Sequence, residues 1–167
     1  MDKADILLLY EYNYWATARV LRAAGQITPG QFTAAARVSF GSLRGTLVHM
    51  LGTEWLWRLR CQGVSPTTLL AEEEFPSLAG LTERWRDEEA AMRAFLHQLQ
   101  DAEVQGPVRY MTTQGTPYQN VLGHVLVHIV NHGTQFRSEA GILLTEYGHS
   151  PGDLDLIVFL RAQPRGN

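Results

Sequence analysis

Residues 124–132 read His124-Val-Leu-Val-His128-Ile-Val-Asn-His132, three histidines four residues apart inside an apolar run. In an α-helix each residue turns about 100°, so four residues advance about 400° and each histidine lies about 40° round from the last. All three crowd one face, and imidazoles at i and i+4 can reach a common point, as in helical zinc sites. The stripe centred on His132 includes Val121, Val125, Ile129, Phe136 and Leu143, so it faces a core. His124 falls at the margin of that face and is expected in solvent. A core-facing histidine has two explanations: a neutral imidazole bonded to a carbonyl, or a metal ligand. Outward from this stretch, the helical pattern extends over about 118–147 and stops at Gly148.

A second histidine stands in a second apolar helix, about 42–61, capped by Ser39 or Ser42. The face of His49 carries Ser42, Gly45, Thr46, Gly52, Thr53 and Leu56. Mostly small side chains around one imidazole leave room for a close helix contact or a recess. Two histidines from one helix and one from another make a three-ligand site with an open fourth position. That is the arrangement of catalytic rather than structural zinc. The His-Glu-x-x-His pattern of zincins is absent, because no Glu stands between these histidines.

The remaining chain supplies the partners. Residues 3–25 alternate apolar and polar at helical spacing and end at Gly25; Thr28-Pro29 starts a short helix, about 29–36. Ser77 caps another long helix, about 77–99, charged on one face. Asp101 and Gly106-Pro107 break the pattern. Val108 to Tyr118, turning at Gln114-Gly115, suggests a β-hairpin whose second strand is an edge because of Pro117. A last short helix is expected over about 152–162. The expectation is an all-α, up-down four-helix bundle, a single domain over residues 1–167, with a small hairpin before the fourth long helix and a short C-terminal helix. Glu72-Glu73-Glu74 reads as solvated acidic surface.

Composition narrows the function classes. The net charge is −3, which gives no electrostatic case for nucleic acid. No apolar run is long enough to span a membrane. The single cysteine, Cys61, excludes an internal disulfide and suits a reducing cytoplasm; the N-terminus lacks a signal-peptide pattern. Cys61 lacks the combined basic and histidine context of a catalytic thiol and reads as inert or partly buried.

The chain resembles the DinB family over nearly its full length. The resemblance rests on Tyr12-Asn-Tyr-Trp15, on Gly41-Ser-Leu-Arg-Gly-Thr-Leu-Val-His49 with Glu54-Trp55, and on Tyr110 to Tyr118 with Gly115 at the turn. Its most specific parts are Val127-His-Ile-Val-Asn-His-Gly-Thr-Gln-Phe-Arg-Ser-Glu139 and Leu144-Thr-Glu-Tyr-Gly-His-Ser-Pro-Gly152. It implies a four-helix bundle, often a homodimer, with a divalent metal such as zinc or nickel in the bundle. Family sites take one histidine from the second helix, matching His49, and two from the fourth at i and i+4. The first of these matches His132. The second falls at position 136, where this chain has Phe136.

Two expectations follow. In one, His128 replaces the missing ligand, and His49, His128 and His132 hold the ion. The resemblance then implies metal-assisted activation of a low-molecular-weight thiol, as a transferase or hydrolase acting on a small molecule. Trp15, Trp55 or Tyr118 would line the entrance, and Arg44, Arg137 and Glu139 would orient a ligand or pair on the surface. In the other, the metal is absent and the chain is a non-catalytic, stress-associated bundle protein. The family's name, which derives from damage induction, raises DNA handling, but the charge balance gives that no support.

Overall fold

The computed structural model describes residues 1–163. The four long helices are α1 (Lys3–Ala24), α3 (Leu43–Cys61), α4 (Leu78–Gln98) and α6 (Leu122–Glu146). Their starts are written in the sequence. Asp2 caps α1 reciprocally with Asp5, Ser42 accepts from the Gly45 N–H at 2.9 Å, and Ser77 accepts from the Gly80 N–H. Short helices α2 (Pro29–Thr33), α5 (Asp101–Val104) and α7 (Leu156–Ala162) fill the connections and the C-terminal end.

The antiparallel hairpin pairs β1 (Pro107–Met111) with β2 (Pro117–Val121), Tyr110 opposite Tyr118. Gly115 takes φ +82° in its turn, a conformation that side-chain-bearing residues rarely adopt. Pro117 sits at the strand start, opposite Met111, consistent with an edge strand.

Four boundaries differ from the sequence reading, the first being α2, which ends at Thr33 rather than near 36. Residues 118–121 are strand, so α6 begins directly from β2 at Leu122, whose N–H donates to the Gly106 carbonyl at 2.9 Å. Cross-strand pairing overrides the helical spacing there. Asp101–Val104 form a helical turn rather than a loop, and α7 starts at Leu156, four positions later than expected.

Helix α6 packs against both α1 and α3, and α3 against α4. The core divides into two apolar clusters. One gathers Tyr10, Leu96, Val125, Leu126 and Ile129 toward the hairpin; the other gathers Val20, Leu47, Leu51, Trp85, Phe136 and Leu144. The chain passes from one cluster to the other between Ala16 and Val20 on α1, between Leu51 and Trp57 on α3, and between Val130 and Phe136 on α6. Among the described residues, no helix is long and apolar enough to cross a membrane.

Candidate functional site at the contact of α3 and α6

His49 and His132 meet across the α3–α6 interface, their Nε2 atoms 3.0 Å apart. At that distance one ring's N–H donates to the other's lone pair. Both side chains are half-buried. Burial pushes the His132 imidazolium down to about 4, with smaller contributions in the same direction from His49 and His128. Burial also lowers His49, opposed by the negative charge of Glu139. Both rings are therefore neutral near pH 7, the form that ligates a metal.

Two phenylalanines close over the pair. Phe136, one turn beyond His132, lies edge-on to His49 at 4.7 Å and against His132 at 4.5 Å between ring centres. Phe40 stacks on His49 at 3.7 Å. Phe40 belongs to the loop before α3, and Glu139 of α6 fastens that loop: Ser39 donates from Oγ at 2.6 Å and from its N–H at 3.1 Å. Glu139 thus anchors the cover of the site, a role nearer the chemistry than simple surface pairing.

His128 stands apart. It is exposed, 5.9 Å ring to ring from His132 and 5.4 Å from Trp57. Partial desolvation of its ring beside Trp57 and His132 lowers its pKa. His124 is exposed, as its marginal position predicts. Among the described residues, no three His, Cys, Asp or Glu side chains gather into a group able to hold a metal. The donor set at the contact fits two positions of a divalent ion's coordination shell.

Beneath this pair lies a buried polar network. Glu54 accepts from Tyr14 Oη at 2.7 Å and from Asn13 Nδ2 at 3.2 Å; Arg137 donates to Asn13 Oδ1, to Thr17 and to Thr134. Arg137 is 2% exposed, which corrects its reading as a surface charge. Two of its partners, Asn13 and Thr17, come from a helix more than a hundred residues away in sequence. Glu54 is pushed up to about 7, burial outweighing its two hydrogen bonds. Gly133 makes the layer possible: a Cβ there would lie 2.7 Å from Arg137 Nη1 and 2.9 Å from Asn13 Oδ1.

The other expected residues scatter. Trp15 packs on Phe159 at 5.7 Å, and Tyr118 stacks on Tyr110 at 6.1 Å, both away from the histidine pair. Arg44 pairs with Glu72 at 2.7 Å, and Glu72 also accepts from Ser42 at 3.1 Å. The acidic run is therefore partly structural. Cys61 is driven up to about 12 by burial, an inert thiol at neutral pH. Phe40 and Trp57, which touch the histidines, had no signal of their own: one is a loop residue, the other one apolar side chain among many.

The DinB family model matches residues 1–167. The chain belongs to the DinB family. It is similar to Protein DinB of Bacillus subtilis (strain 168), 24% identical over 163 residues, covering 91% of this chain and 92% of the relative. The helical bundle and the hairpin before α6 are thus the DinB-family scaffold of this chain, and the histidine pair is its most chemically distinctive contact.

Proposed function

We propose that this DinB-family chain binds a divalent transition metal, zinc or nickel, at His49 and His132, with His128 recruited as a third ligand by rotation of its side chain. The single observation supporting this is the 3.0 Å approach of two neutral Nε2 atoms from different helices. A bound ion would lower the pKa of a coordinated thiol or water, supplying the nucleophile for a small-molecule transferase or hydrolase. The chain's own contribution is to keep both imidazoles unprotonated and to shield them with Phe40 and Phe136. The expected partner, carried from the family resemblance, is a low-molecular-weight thiol; the chain's own Cys61 stays protonated and does not supply the nucleophile.

The test is elemental analysis of protein purified without a histidine tag, then loaded with zinc or nickel and dialysed. About one ion per chain is expected, and His132→Ala should abolish it. No retained metal after loading would overturn the reading.

A second reading has its own observation. Phe136 packs on both imidazoles, occupying the position from which a third family ligand would come. In this reading the pair is a metal-free hydrogen bond inside a non-catalytic bundle protein, and the same loading experiment selects it by failing.

A further inference from the structure

Arg60, in the last turn of α3, is 6% exposed, and its Nε is buried without a hydrogen-bond partner. Its guanidinium carbon lies 4.6 Å from the Trp57 ring centre and 5.3 Å from that of Tyr110. The ion pairs among the described residues join Arg44 to Glu72, Arg58 and Arg84 to Glu88, and Arg93 to Glu11 and Glu89. None of them involves Arg60. Arg137, still more deeply buried, instead donates to Asn13, Thr17 and Thr134. Two aromatic faces steady a cation but accept none of its in-plane hydrogen bonds. Burial lowers the Arg60 pKa, the mark of a cation short of compensation.

Arg60 lines a recess of about 410 Å³, shared with Leu56, Trp57, Tyr110, Thr112 and Tyr118. That volume is in the range of small-molecule sites, and the wall chemistry is typical of them: apolar and aromatic surface with a few polar groups. The hydroxyls of Thr112 and Tyr118 supply further polar groups. A single cation among apolar walls suits a monoanion with an apolar body. A phosphate dianion would call for several cations or a helix terminus.

We propose that this recess between α3 and the hairpin binds a small carboxylate with an aromatic or apolar body, its carboxylate paired with Arg60 and its body against Leu56 and Tyr118. The site does not depend on metal at His49 and His132.

The experiment follows the Trp57 indole N–H by NMR, assigned with Trp57→Phe, during titration with benzoate, 2-naphthoate and the uncharged 2-naphthamide. Saturable shifts are expected with the carboxylates, with 2-naphthamide at least about tenfold weaker. Arg60→Gln should weaken 2-naphthoate by about tenfold or more, and Arg60→Lys by less. Equal affinity for acid and amide, an unchanged Arg60→Gln titration, or no saturable shift with either carboxylate up to about 20 mM would each overturn the proposal. Should Arg60→Gln fail to fold, Tyr118→Ala replaces an exposed residue of the same wall. Weakened 2-naphthoate binding supports the site, and unchanged binding overturns it.

Discussion

Position 136 decides the character of the histidine site. Phe136 is 6% exposed and touches both imidazoles, so it is a packing residue set where a ligand would be useful. Phe136→His should raise zinc or nickel affinity by about tenfold or more, read by competition with a chromogenic chelator. Unchanged affinity would show that this position is not the gap. Much of this is legible in the chain: the apolar stripe centres on His132 and the small-residue face of α3 offers His49, and the two meet. The position of His128 was less legible. A drift of about 40° per four residues is small on a helical wheel, yet one turn back it turns the imidazole into solvent beside Trp57. Phe40 was invisible, because nothing local tells a loop ring which helix it will cover. Freeing it is a direct check on that cover. Glu139→Ala should release the Ser39 loop and raise the pH at which the His49 ring protonates if solvent access outweighs the lost carboxylate. The ring's NMR titration measures the balance, and a downward shift would show the carboxylate to be the larger influence.

At the scale of elements, the close approach of α1, α3 and α6 depends on Gly133. Alanine there meets the ends of Arg137 and Asn13, neither of which is free to move without leaving Glu54 or Thr17 short of a partner. Gly133→Ala should therefore destabilise the fold by about 1–3 kcal/mol despite alanine's better helix propensity, as read from urea unfolding. A neutral or stabilising effect would show that the layer relaxes easily. Arg137→Met removes the buried donor to Asn13 Oδ1 and Thr17 and should likewise cost about 1–3 kcal/mol. The helices themselves were readable from periodicity and caps. The polar layer was not, because Phe136-Arg137-Ser138 in isolation resembles any amphipathic helix edge. Burial of the arginine follows only once Asn13 and Glu54 arrive from two other helices.

For the whole molecule, two groups that titrate between pH 4 and 7 pull stability in opposite directions. His132 falls from 6.5 to about 4 on folding, so the unfolded chain binds its proton more readily. The stability this group supports is full above pH 6.5 and lost as pH falls toward 4. Glu54 rises from 4.5 to about 7, so the folded chain holds its proton more tightly, and stability declines as pH climbs from about 4.5 to 7. Over the shared window the slopes oppose, and the wild-type profile should be comparatively flat. His132→Ala should tilt it toward falling stability with rising pH, and Glu54→Gln toward rising stability. The limiting slope is about 1.4 kcal/mol per pH unit for each proton, less for the half-exposed His132. Thermal melts at several pH values read both, and a variant whose profile overlays the wild type would remove its residue from this balance.

The burial of Cys61 has a practical corollary at the end of α3. A protonated, partly buried sulfur next to Arg60 reacts slowly with disulfide reagents until that end of the helix opens. The rate of thiol–disulfide exchange therefore clocks local opening of the recess wall, without any label placed by hand. A carboxylate seated on Arg60 would slow that clock while leaving exchange in the fully unfolded chain untouched.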